Sequence, residues 1–145
     1  MTLVNYYILP DSFPQARENF ACRLLQQTSK LGHRIYIHCD NPEQAKALDE
    51  YLWQFQAQSF LPHKLLDAQG AACSIEIGAG NEPGNHDDLL INLSQTIPPF
   101  YSRFQRVVEI VSQEPQCLIK GREKYRFYKE RNYPLKHIDL RKKTS

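Results

Sequence analysis

The chain has no hydrophobic run near the ~20 residues needed to span a bilayer, so no segment reads as a transmembrane helix. Its start, MTLVNYYILPD, has no basic region and no small-residue cleavage site, so no secretory signal is expected. Cysteine is sparse and scattered. Cys22, Cys39, Cys73 and Cys117 form no CxxC pair, which points to free thiols rather than a disulfide framework or a zinc site, and to a cytoplasmic setting. Glycine is scarce too, and where it clusters the spacing is wrong for a nucleotide. GAGNEPG (78–84) reads GxGxxxG, contains Pro83, and lies between two expected strands instead of opening a helix, so the amides that would hold a pyrophosphate are missing. No GxxxxGK[ST] occurs, and the first strand-to-helix turn, LPDSFPQ, has no glycine.

Catalytic constellations are missing as well. His33, His38, His63, His86 and His137 have no His, Cys or Glu at ligand spacing, and HDD (86–88) sits in a polar loop. His38 and Cys39 fall on opposite faces of a strand and cannot act as base and nucleophile by adjacency. There is no G-x-S-x-G elbow. No catalytic constellation, metal site or cofactor site is therefore read from the residues, and an enzyme stays open only as a site assembled from scattered residues.

What the chain does have is a core: 41% of its residues are hydrophobic, enough for one folded domain of 145 residues. Strand signals fall at 3–9, 34–39, 73–78, 89–94, 106–111 and, alternating at the end, 135–140. Between them lie helical patterns. The first opens on Ser12, Pro14 and Gln15 as a capping box and runs to about Leu31, with Gly32 at C′. The second opens on Asn41, Pro42 and Gln44 and ends near residue 55. The third runs from Glu114 to Arg131, with Pro134 as its stop. Residues 58–72 read as a loop. Alternating strands and helices predict a single three-layer α/β/α domain, residues 1–140, around a largely parallel (mixed) sheet. A basic tail, 141–145, follows it.

Charge is unevenly placed. Residues 120–145 carry ten Lys or Arg against three Asp or Glu, a net +7, whereas residues 1–119 carry eight against thirteen, a net −5. An acidic body with a basic C-terminal segment implies a localised site for something anionic. A protein that coats DNA would be basic throughout.

Two stretches stand out. In YLWQFQAQSFLPH (51–63), Trp53 falls at the margin of the core-facing stripe of Leu52 and Phe55. Trp53 and Phe60 fit either the core or an exposed patch for a protein partner. In GREKYRFYKERNYP (121–134), Arg122, Tyr125, Arg126 and Lys129 recur at i, i+3, i+4 and i+7 and share one helical face, which Leu118 extends by a turn. This is either a solvated face or a carboxylate site: arginine forks take carboxylates in bidentate fashion, and tyrosine supplies a flat wall. Phe127 and Tyr128 point elsewhere, toward the sheet. Only Tyr125 shares the basic face, which disfavours a stacking groove for single-stranded nucleic acid.

YYILP, LDEYLW followed by SFLPH, DLLINLS and REKYRFY occur in this order across nearly the whole chain. With them the sequence resembles the chi subunit of bacterial DNA polymerase III holoenzyme. The resemblance implies a small α/β protein with no enzymatic activity, an adaptor in DNA replication. It would join the clamp-loader complex through the psi subunit and hold the acidic C-terminal tail of single-stranded DNA-binding protein. The tail-site positions it implies are Val111, Arg122, Tyr125 and Arg126, with Lys129 adding to the same basic face. Arg126 stands where the family pattern has lysine, and Leu118 stands where it has a basic residue one turn before Arg122. The psi-type surface falls on Trp53 and Phe60, and a helicase-like partner is an alternative occupant. The competing reading is a direct single-stranded nucleic-acid-binding protein.

Overall fold

The structure is a computed structural model and describes residues 1–55, 62–68, 70, 73–80 and 82–141, with Phe55 described for its backbone only. Phe60 and the tail residues 142–145, both named from the sequence, lie outside the described residues.

Among the described residues seven strands and three helices follow one another: β1 (Leu3–Ile8), α1 (Ala16–Ser29), β2 (Ile35–His38), α2 (Pro42–Phe55), β3 (His63–Leu65), β4 (Ile75–Gly78), β5 (Leu89–Asn92), a 3₁₀ turn (Tyr101–Arg103), β6 (Arg106–Val111), α3 (Pro115–Glu130) and β7 (Leu135–Asp139). The strands form one sheet in the order β3-β4-β2-β5-β6-β1-β7. Every pairing in it is parallel. The sheet is thus purely parallel where the sequence left room for a mixed one, and β7 takes the edge beside β1.

Side-chain alternation assigns the two faces. Ile35, Ile37, Leu89, Ile91, Val108 and Ile110 pack with Leu24 and Leu25 of α1 and with Leu48 and Leu52 of α2. The intervening positions, Val4, Tyr36, Leu90 and Val107, pack on the other face with Tyr128 of α3. Each fully buried side chain of this size contributes about 1.5–3 kcal/mol, so the central strands, buried on both faces, dominate the core. No helix among the described residues is long and apolar enough to cross a membrane.

Helix ends follow local chemistry unevenly. At α2 Asn41 caps as expected: the Gln44 amide donates to Asn41 Oδ1 at 2.8 Å, and the return bond falls one residue early, with Gln44 Oε1 accepting from the Asp40 amide at 2.6 Å. At α1 it does not. The helix starts at Ala16 with Gln15 as its cap and no side-chain cap bond. A turn closed by the Ala16 amide on the Phe13 carbonyl precedes it, which leaves Ser12 outside the helix. Lys30 is the C-cap, and Gly32, at φ 84°, lies one position beyond the expected C′. The stop of α3 is not Pro134 but Asn132, at φ 60°. The Asn132 amide donates to the Lys129 carbonyl and the Tyr133 amide to the Tyr128 carbonyl, a Schellman closure. Residues 58–72, read as a loop, contain β3, whose three residues gain their strand identity from pairing with β4.

Candidate functional site

The α3-facing side of β6, β1 and β7 is ruled into rows by the parallel register. Tyr6 aligns with Glu109 on one side and His137 on the other. One row further, Ile8 aligns with Val111 and Asp139. α3 lies across these rows. Glu114 caps its start, accepting from the Gln116 and Cys117 amides at 3.2 and 2.9 Å, and Pro115 occupies its first turn.

Between α3 and the rows runs a groove of about 510 Å³. Tyr6, Ile8, Val111 and Leu118 give it an apolar floor, and Tyr125 stands as a wall. Among the described residues its rim carries Arg122, Arg126, Lys129 and Arg141 against one carboxylate, Glu130. Val111, Arg122, Tyr125, Arg126 and Lys129, all singled out from the sequence, are therefore brought to one groove. Arg122, Arg126 and Lys129 are exposed, Tyr125 is half-buried and Val111 is buried. Lys129 Nζ lies 5.7 Å from the Tyr125 ring centroid.

The aromatic floor is held from below. The Tyr6 hydroxyl donates to the Gly121 carbonyl, and its ring meets Tyr125 edge-on at 5.4 Å. Burial, reinforced by the Glu109 charge, pushes the Tyr6 phenol far above its ordinary range, so it stays a neutral donor. Gly121 allows this closeness. A Cβ there would come within 2.8 Å of the Tyr6 hydroxyl and 2.9 Å of a Val111 methyl.

The opposite face of α3 is fixed by charge. Lys124, one residue of the basic sequence run, does not belong to the rim. It is 7% exposed, and its Nζ donates to the Ser94 carbonyl at 2.5 Å and to Glu109 Oε1 at 3.2 Å. Tyr128 donates to Glu109 Oε2 at 2.7 Å, and Asn92 Nδ2 donates to the same oxygen at 2.9 Å. Burial first, then the Glu109 charge, drive the Tyr128 phenol well above its usual value. Phe127 packs edge-on against Tyr101 at 5.4 Å and carries the Arg131 guanidinium 3.7 Å above its ring.

The second surface lies across the sheet. Trp53 is 45% exposed and stacks at 4.1 Å, tilted 37°, on the ring of His63, which is buried in β3. His63 Nε2 reaches Asp49 of α2. Trp53 is thus an exposed residue packed on its neighbour's ring rather than a core filler.

Sequence reasoning passed over Tyr6, His137 and Arg141. The alternation of LKHIDL puts Leu135, His137 and Asp139 on one face. Which face that is depends on the pairing of β7 with β1. All four cysteines are free: Cys22 and Cys39 are buried, with thiols pushed up to about 12 by burial, and Cys73 and Cys117 are half-buried. Among the described residues, no group of three or more His, Cys, Asp or Glu is placed to hold a metal ion.

The groove sets guanidinium groups beside an apolar floor. Guanidinium forks take carboxylates in two-pronged fashion, and the Val111 and Leu118 floor with the Tyr125 wall is an apolar surface beside them.

A family profile described as DNA polymerase III chi subunit, HolC, matches residues 1–136. The chain is 42% identical over 135 residues to the DNA polymerase III subunit chi of Pseudomonas aeruginosa, covering 93% of this chain and 94% of that protein. It is 33% identical to the Haemophilus influenzae subunit chi, over 83% of this chain and 85% of that protein. For the Escherichia coli subunit chi the identity is 30%, over 83% of each.

Proposed function

The chain belongs to the DNA polymerase III chi subunit family, and on that premise we propose that it is a non-catalytic adaptor of the bacterial replication machinery. Its basic groove holds the acidic C-terminal tail of single-stranded DNA-binding protein. The tail's terminal carboxylate meets Arg122. Its last aromatic side chain rests on Val111 and Tyr125, and its aspartates lie toward Arg126 and Lys129. The Trp53 surface, with Phe60, takes the psi subunit or a comparable protein such as a helicase-like partner, and so ties the complex to the clamp loader. The protein works in the cytoplasm and meets DNA through its partner.

The observation that carries this reading is the composition of the groove among the described residues: four cations and one carboxylate around an apolar floor. A nucleic-acid groove would offer several stacking rings along a basic track. Here the rings of Tyr6, Tyr125 and His137 cluster within 4.9–5.5 Å of one another instead of lining a track, and the body of the chain is net negative. The test compares three ligands on the full chain: a short peptide of aspartates ending in phenylalanine with a free terminal carboxylate, the same peptide without its last residues, and a single-stranded oligonucleotide. Micromolar binding of the first, about −8 kcal/mol, with neither of the others bound, is expected. Tight oligonucleotide binding with a steep salt slope and no peptide binding would instead support direct DNA binding.

A further inference from the structure

We propose that His137 is a ligand-contacting residue of the groove: its imidazole receives a carboxylate of the acidic peptide and thereby ties the peptide's affinity to pH. The inference rests on the groove being an acidic-peptide site and adds to it a contact from the edge strand β7.

Three observations carry it. Register places His137 beside Tyr6 on the face that α3 covers. Its ring lies 4.9 Å from Tyr125 and 5.5 Å from Tyr6, so three rings from three elements meet at the groove. The residue is nonetheless exposed and lines the groove, and among the described residues neither of its ring nitrogens has a hydrogen-bond partner. A ligand that fills the groove meets those nitrogens.

The charges facing His137 favour a ligand carboxylate over an internal one. From α3 come Arg122, Arg126, Lys129 and the carboxylate Glu130, together with the Tyr125 phenol. On β7 and just beyond it are Asp139 and Arg141. Asp139 accepts three hydrogen bonds from Arg141, from its amide and Nε at 3.0 Å and from Nη2 at 2.8 Å. From β1 and β6 come the Tyr6 phenol and, behind it, Glu109, whose oxygens are taken by Lys124, Tyr128 and Asn92. A peptide aspartate entering the groove brings the negative charge that an imidazolium would pair with.

The linkage has a fixed sign. A carboxylate beside an imidazole favours its protonated form, so the complex holds its proton to higher pH than the free protein does. Binding then takes up a proton and strengthens as pH falls. The peptide's own carboxylates stay ionised above about pH 5 and do not produce this change.

The test is calorimetry of the full chain with the aspartate peptide ending in phenylalanine, at about pH 6 and about pH 8, in buffers of different ionisation enthalpy. The unmodified chain should bind about three- to tenfold tighter at the lower pH, with proton uptake. His137→Gln should bind equally at both, near the weaker value, without proton uptake. His137→Lys should bind equally at both, near the tighter value. If His137→Gln keeps the pH dependence, or the unmodified chain takes up no proton while still binding, the His137 contact is overturned and the groove reading survives. If the unmodified chain binds the peptide at neither pH, the groove reading itself falls, and the His137 contact with it.

Discussion

Tyr6 and Gly121 are in direct contact: the phenol on β1 donates to the carbonyl in the middle of α3, and no side chain separates the helix from the strand. Glycine inside a helix costs about 1 kcal/mol relative to alanine. By propensity alone, Gly121→Ala should stabilise the protein. The contact reverses that expectation. The new methyl would sit 2.8 Å from the Tyr6 hydroxyl and 2.9 Å from Val111, and both neighbours are packed. Overpacking of this kind costs about 1–3 kcal/mol. Gly121→Ala should lower the urea unfolding midpoint and weaken peptide binding, because Tyr6 and Val111 form the groove floor. A variant more stable than the parent would contradict this.

Lys124 and Glu109 form a pair buried on both sides, 8% and 1% exposed at the side chain. Removing one member leaves an unpaired buried charge, which costs about 3–5 kcal/mol. Lys124→Ala should therefore destabilise strongly in urea. The double variant Lys124→Met with Glu109→Gln removes both charges together and should cost much less than the sum of the single changes. Additive losses would mean that the two groups are not coupled.

Acid sensitivity should trace to Glu76. Burial raises its carboxyl, but the hydrogen bonds from His86 at 2.7 Å and from the Cys73 amide, with the charges of His86 and Lys64, outweigh burial and hold it below its usual value. The folded value is depressed, so this stability is present above the unfolded carboxylate value, about pH 4.3. It is lost as pH falls through the lower folded value. Glu76→Gln should be less stable than the parent at neutral pH, and the gap should narrow at about pH 3. Urea midpoints at the two pH values check it, and a gap that stays constant would exclude the linkage.

Trp53 packs on the His63 ring at 4.1 Å while staying 45% exposed, in the manner of an interface anchor. Trp53→Ala should cost about 2 kcal/mol or more in binding a psi-type partner. It should leave aspartate-peptide affinity unchanged, because the groove lies on another helix. Loss of peptide binding in this variant would merge the two surfaces into one.

What could be read in the sequence was what is local. The Asn41 cap and its Gln44 partner lie within four residues, and the cap forms as expected. The phasing of Arg122, Tyr125, Arg126 and Lys129 needs only a helix, and the helix is there. Features set by distant partners were not legible. HKL (63–65) has no strand pattern of its own and becomes one against β4. Lys124 looks like another basic residue until Glu109, on a different element, draws it inward. Ser12 has the right side chain for a cap, but the turn at Phe13 moves the helix start to Ala16. His137 joins the groove only through the register of β7 on β1.

The most direct measurement is calorimetric titration of Arg122→Ala with the aspartate peptide ending in phenylalanine, with thermal unfolding run on the same sample. Arg122 is exposed on the rim, so its loss should leave the melting temperature nearly unchanged. Binding should weaken by about 2–5 kcal/mol, enough to remove a micromolar interaction from view. Full affinity in a folded Arg122→Ala protein would contradict the assignment of this groove to the acidic tail.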